Sequence, residues 1–123
     1  MDDELVKPLE FVGSSRKDLQ ALPPVVRQMF GRALFLAQLG GKPASVKPLK
    51  GYRGAGILEI VEDYDTDAYR AVYTVRFAGI VYVLHVFQKK SRVGIATPTR
   101  DLDLIARRLK KAEEMYADRN ADQ

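Results

Sequence analysis

The segment from Tyr69 to Phe87, broken once by Ala78-Gly79, constrains this chain more than any other. Tyr69, Ala71, Tyr73, Val75 and Phe77 alternate with Arg70, Val72, Thr74 and Arg76. A period of two predicts a half-buried strand with a polar partner face. After the turn, Ile80 to Phe87 carries β-branched and aromatic residues on both faces, which predicts a central strand. Ile57-Leu58-Glu59-Ile60-Val61 adds a strand before the polar turn Asp63 to Asp67. The expected sheet is an antiparallel meander, with a further short strand around Leu9 and Phe11.

Helices flank this sheet at both ends of the chain. Ser15 is placed to cap a first helix, answered by Asp18 three residues on, and Pro23-Pro24 must end it. Pro24 can open a second helix, since a first turn tolerates proline. Its face would be Val26, Met29, Phe30, Ala33, Leu34 and Ala37, and Gly40-Gly41 would stop it. The two helices form an αα-hairpin. Lys42 to Gly56 reads as a basic, glycine-containing connection. Thr97 is placed to cap the last helix with Pro98 at its first position. Leu102, Ile105, Ala106, Leu109, Ala112 and Tyr116 would be its apolar stripe, with Arg107, Arg108, Lys110 and Lys111 outside. The polar tail from Ala117 would fray. The fold class is α+β: an αα-hairpin and a C-terminal helix packed on a small, mainly antiparallel sheet.

With 123 residues the chain fits one domain, 1–123, with its core at about 8–116 and flexible ends. It has no cysteine and a single histidine, His85, so thiol chemistry and an intrachain zinc site fall away. No metal and no cofactor are expected. No apolar run approaches a membrane span, and Asp2-Asp3-Glu4 is the wrong start for a signal peptide, so a soluble, cytoplasmic protein is expected. The formal net charge is +4, and the bases collect at Lys42 to Arg53, at Lys89-Lys90-Arg92 and at Arg107 to Lys111. Basic faces of this kind point to an anionic partner.

No nucleophile elbow, phosphate loop or dinucleotide fingerprint is present. An enzyme here would work with Lys, Arg, Tyr, His85 and carboxylates. That set suits RNA cleavage, because RNA supplies its own nucleophile in the 2′-hydroxyl. The protein then has to align that hydroxyl, neutralise the phosphorane and protonate the leaving 5′-oxygen. Arginine is a natural phosphate clamp, and fixed cations aimed at developing charge are often the largest catalytic contribution.

The order Lys47-Pro48-Leu49-Lys50-Gly51, Ile57-Leu58-Glu59, Tyr69-Arg70-Ala71-Val72-Tyr73, His85-Val86-Phe87-Gln88-Lys89-Lys90 and Thr97-Pro98 resembles the RelE/HigB superfamily of toxin–antitoxin toxins, in its phage-derived branch. Leu102 to Leu109 resembles the closing helix of that family. The resemblance implies a RelE-like fold and metal-independent, ribosome-dependent mRNA cleavage. It also implies a cognate antitoxin, of the helix-turn-helix type in this branch, that covers the basic site. The family's basic site would map onto Lys50, Arg70, Lys89 and Lys90, with His85 close by. Lys89 and Lys90 point to opposite faces of a continuing strand, so one of them would reach the site. Related enzymes place a tyrosine or histidine near the C-terminus, and Tyr116 is the matching residue here.

Other residues qualify as RNA contacts. Tyr52, in the loop beside Lys50 and Arg53, can stack on a base, and Arg92, Arg107 and Lys110 can meet phosphates. Plainer roles stand beside these. Lys89-Lys90 also suits a charged guard on an edge strand, Arg70 a cross-strand ion pair with Glu59, and His85 a satisfied core position. Two rival functions share the pattern: a ParE-like gyrase poison, and a non-catalytic RNA- or antitoxin-binding remnant of a phage module.

Overall fold

The computed structural model describes residues 6–52, 56–89 and 97–121. In chain order these form β1 (Leu9–Phe11), α1 (Ser15–Gln20), α2 (Pro24–Gln38), β2 (Val46–Pro48), β3 (Ile57–Tyr64), β4 (Asp67–Thr74), β5 (Val81–Lys89) and α3 (Thr99–Ala121). The five strands make one sheet in the order β1-β5-β4-β3-β2. The meander β3-β4-β5 is antiparallel throughout, β2 adds antiparallel to β3, and β1 adds parallel to β5. The α+β architecture is the expected one, and β5 is the buried strand near the middle.

Helices cover both faces of the sheet. From α2, Val26, Phe30, Ala33, Leu34 and Ala37 pack with Leu19 and Leu22 against Ile60, Tyr69, Ala71, Tyr73, Val81, Val83 and Val86. From α3, Ile105, Leu109 and Ala112 pack against Ile57, Val72, Tyr82 and Leu84 on the opposite face. The face of β4 expected to be polar is therefore interior: Arg70, Val72 and Thr74 are all buried. A three-layer arrangement removes both faces from water, which a period of two cannot reveal.

Several local expectations are corrected. Ser14, not Ser15, bonds Asp18 (Oγ to Oδ2, 2.8 Å), while Ser15 is buried and donates to the Val83 carbonyl at 3.2 Å. Pro98 precedes α3 and its carbonyl accepts from the Asp101 and Leu102 amides, so Thr97 is not the cap. Ala106 is exposed and Met115 packs inward in the α3 stripe. The helix continues to Ala121 instead of ending near Ala117. The connection after α2 holds the edge strand β2, whose Pro48 is tolerable because an edge leaves one side unpaired. The β3–β4 turn narrows to Asp65 and Thr66, at φ 52° and 69°, the left-handed pair that a two-residue hairpin turn needs.

The decisive irregularity is in β5. Val72 pairs with His85 but Tyr73 with Val83, so Leu84 is an extra residue, a β-bulge. Its carbonyl accepts from Arg108 Nη1 at 3.0 Å, and Arg108 Nη2 donates to Ser14 Oγ at 3.0 Å. Arg108, expected on the outer side of α3, thus ties α3 to β5 and α1. Gly13, at φ +60°, lets it pass: a Cβ there would lie 2.6 Å from Arg108 Nε. Gly13→Ala is expected to lose about 1–2 kcal/mol from the left-handed backbone alone. It should also displace Arg108 from the bulge. Urea unfolding of the variant beside Arg108→Met measures both effects.

Candidate functional site

A one-residue shift in a strand sends every later side chain to the other face. Before the bulge, Tyr82 and Leu84 face α3. Regular alternation would then turn Val86 and Gln88 toward α3. The bulge reverses this, so His85, Phe87 and Lys89 lie on the α3 side, opposite Val72, Arg70 and Ala68 respectively. Glu59 faces the same way, paired with Val72 across β3–β4 and with Lys47 across β2–β3. Five neighbouring positions on three strands and an edge thus put Lys47, Glu59, Arg70, His85 and Lys89 on one face. The start of α3 closes it.

Arg70 Nη1 meets Glu59 Oε2 at 2.9 Å, with side-chain exposures of only 10% and 4%. The Thr97 hydroxyl also donates to Glu59 Oε2, at 3.2 Å. His85 Nε2 lies 2.8 Å from Asp101 Oδ1, in the first turn of α3, and its ring stacks on Phe87 with centroids 4.5 Å apart. Two polar atoms here are buried without a hydrogen-bond partner among the described residues: Arg70 Nε and His85 Nδ1. Such atoms are rare in folded proteins, and the Tyr73 hydroxyl on the other face of the sheet is a third. Burial, reinforced by the charges of Arg70 and Lys47, pulls the Lys89 ammonium below the ordinary lysine value, against the pull of Glu59 and Asp101. The site therefore holds a guanidinium fixed by a carboxylate, an imidazole fixed by a second carboxylate, and a lysine that gives up its proton more readily than usual.

Of the expected residues, the fold brings together Arg70, His85 and Lys89. Lys50 is exposed beyond Leu49, whose amide bonds the Ile57 carbonyl at 2.9 Å, so it lies toward the other end of β3 from Arg70's partner Val61. Lys47 takes the place on the site face that Lys50 was expected to fill. Tyr52 is half-buried against the apolar cluster beneath α3. Arg107 and Lys110 are exposed on α3. Tyr116 sits at the far end of that helix, with its hydroxyl on the Ala78 carbonyl at 2.9 Å and its ring 5.0 Å from Phe77, remote from Arg70. Arg53, Lys90 and Arg92 lie outside the described residues. Sequence reasoning missed Lys47, Thr97 and Asp101. Asp101 had a signal, an acid in the first turn of the helix after Thr97-Pro98, but its partner sits across the bulge.

The family model described as "Phage derived protein Gp49-like" matches residues 17–110. No curated protein matches the chain. Among solved structures, a variant of the Escherichia coli toxin RelE in the free state superposes with a TM-score of 0.56 at 17% identity, covering 86% of this chain and 97% of that one. The RelBE2 toxin–antitoxin complex from Mycobacterium tuberculosis contains a chain 24% identical, with a TM-score of 0.47, covering 74% of this chain and 100% of that one.

Two outcomes test the electrostatics of the site. Glu59→Gln strands a buried guanidinium and is expected to cost on the order of 3 kcal/mol in urea unfolding. Lys89 holds its proton less tightly folded than unfolded. Its charge therefore opposes folding at neutral pH, and the opposition fades as pH rises through its folded value toward that of free lysine. The stability of the native sequence relative to Lys89→Met is expected to rise between about pH 7 and about pH 10. A flat or falling difference would mean that Glu59 and Asp101 outweigh burial.

Proposed function

The chain belongs to the phage-derived Gp49-like family and has a RelE-like fold, and on that premise we propose that it is the toxin of a type II toxin–antitoxin system. Its activity in this reading is metal-independent cleavage of mRNA on the ribosome, which stops translation in the cytoplasm. The observation that carries the reading is the cluster itself. Arg70, His85 and Lys89 share one face, and Arg70 keeps a buried N–H without a partner among the described residues.

The chemistry follows from the placement. The 2′-hydroxyl of one nucleotide attacks the adjacent phosphorus, the bond to the 5′-oxygen breaks, and a 2′,3′-cyclic phosphate forms. Arg70, held by Glu59, directs its remaining donors at the phosphoryl oxygens as their charge grows. Because Glu59, itself held by the Thr97 hydroxyl, already fixes it, little reorganisation accompanies the reaction. Lys89 gives its proton to the leaving 5′-oxygen, and a lowered ammonium pKa makes it a better acid near neutral pH. His85, its Nε2 held by Asp101, offers Nδ1 as the proton acceptor for the 2′-hydroxyl. Lys47 adds positive charge at the open edge. The partner in this reading is a cognate antitoxin, of the helix-turn-helix type.

Arg70→Ala alone leaves Glu59 buried and unpaired, so loss of activity in it would mix with loss of fold. The double variant Glu59→Gln, Arg70→Met removes both charges and is expected to stay folded, because a buried pair replaced as a unit is often neutral. Expressed in bacteria, the native chain should arrest growth and create new mRNA 5′ ends on translating ribosomes. The double variant should do neither while remaining soluble and cooperatively folded. Arrest with intact mRNA and damaged DNA would move the function to gyrase poisoning. No arrest by the native chain would leave a binding protein.

A further inference from the structure

The surroundings of the two proton-transfer groups suit the states that these groups reach after cleavage. Once His85 has taken the proton of the 2′-hydroxyl, it is an imidazolium 2.8 Å from the Asp101 carboxylate, a charge-assisted contact in place of a neutral one. Once Lys89 has given its proton away, it is a neutral amine. Its burial and the neighbouring charges of Arg70 and Lys47 favour that form, against Glu59 and Asp101. The two residues are four apart on β5, about 13 Å along the strand, and Arg70 lies between them on β4, opposite Phe87. That spacing leaves room for one phosphorus with an oxygen on either side.

We propose that the same site hydrolyses 2′,3′-cyclic phosphate ends to 3′-phosphates and needs no ribosome to do so, an inference that rests on the cleavage reading above. Water takes the place that the 5′-oxygen has left. The Lys89 amine accepts a proton from it, its oxygen bonds to phosphorus, and the bond from phosphorus to the 2′-oxygen breaks. The His85 imidazolium returns its proton to that 2′-oxygen. One water is consumed, a 2′-hydroxyl and a 3′-phosphate are formed, and both residues are back in the states from which cleavage began. Arg70 meets the growing phosphoryl charge in both steps. The ribosome is needed only for the first. A free RNA strand has to be turned until its 2′-hydroxyl lies in line with the 5′-oxygen, and such alignment is worth orders of magnitude in rate. In the cyclic ester the 2′-oxygen is already bonded to phosphorus. Water then needs only a way in, and the exposed Lys47 on β2 marks the open edge.

The test uses the purified full-length chain without ribosomes. The probes are adenosine 2′,3′-cyclic monophosphate and a short RNA with a cyclic phosphate end, in isotopically labelled water, followed by phosphorus NMR and mass spectrometry. The native chain is expected to turn both into the 3′-phosphate alone, with one labelled oxygen in each phosphate. Lys89→Met, with its fold checked by urea unfolding, should be slower by at least about 100-fold. The position of the phosphate reads the mechanism in the native chain itself, whether or not a variant folds. A 2′-phosphate, or a mixture of the two, overturns the proposal, because His85 serves only the 2′-oxygen. Equal rates in the native chain and Lys89→Met overturn it as well, since they are the mark of a contaminating nuclease. If the native chain cuts mRNA on ribosomes but leaves cyclic ends unchanged, the proposal falls and the cleavage reading stands. Hydrolysis to the 3′-phosphate without any mRNA cleavage supports the proposed chemistry and removes the toxin reading. Failure in both assays removes both.

Discussion

The bulge at Leu84 is the constraint on which the rest of the molecule depends. One extra residue in β5 reverses the facing of everything after it, and so puts His85, Phe87 and Lys89 beside Arg70. Without it, Val86 and Gln88 would face α3, and the cations would lie under α1 and α2 among Tyr69, Tyr73 and Val83. An irregularity in a buried strand exposes backbone groups to an interior that cannot hydrate them. Here the Leu84 carbonyl takes a guanidinium from Arg108, and Gly13 supplies the space for it. The bulge, the passage at Gly13 and the register of α3 are therefore one feature held by one side chain.

Two carboxylates, the buried Glu59 and the partly buried Asp101, shape the site more than its cations do. Removing an arginine from water has a large cost, which Glu59 offsets at 2.9 Å without satisfying every N–H. A pair built only for stability would gain from replacement by well-packed apolar residues. Arg70 Nε has no partner among the described residues, so Glu59 alone does not satisfy the guanidinium. The same reasoning applies to His85, where Asp101 fixes one ring nitrogen and leaves the other without a described partner. Lys89 adds the complementary effect: crowding among cations and apolar surface makes its proton easier to lose.

The fold was legible where periodicity and punctuation carry it. Alternation in β4, the apolar run of β5, Pro24 before α2 and the glycines after it were enough for element order, and the order of short motifs pointed to the RelE-like architecture. Three things were not legible, each for a physical reason. The polar phase of β4 looks exposed in sequence because Arg70 and Thr74 are polar, yet a helix covers it and Glu59 makes that tolerable. The bulge has no glycine or proline to mark it, only Leu84-His85 in an otherwise regular run. Lys47 was passed over for Lys50 because a basic loop gives no register, and register appears only once Val46 pairs with Ile60. Arg70, His85 and Lys89 were expected from the resemblance, and the fold places the three on one face of the sheet. Asp101 was missed because its role exists only through a contact across the sequence.

The two faces of the sheet carry different chemistry. Arg70 and Lys89 share their layer with α3, whereas α2 touches the strands through Tyr69, Ala71 and Tyr73, which point the other way. A change on the outer side of α2 could reach the site through the sheet only by shifting β4 or β5 along their length. Interiors packed at crystal-like density resist small continuous displacements, and β4 is hydrogen-bonded to a neighbour on both sides. A substitution on the outer side of α2 is therefore expected to leave Arg70, Glu59 and His85 as they stand.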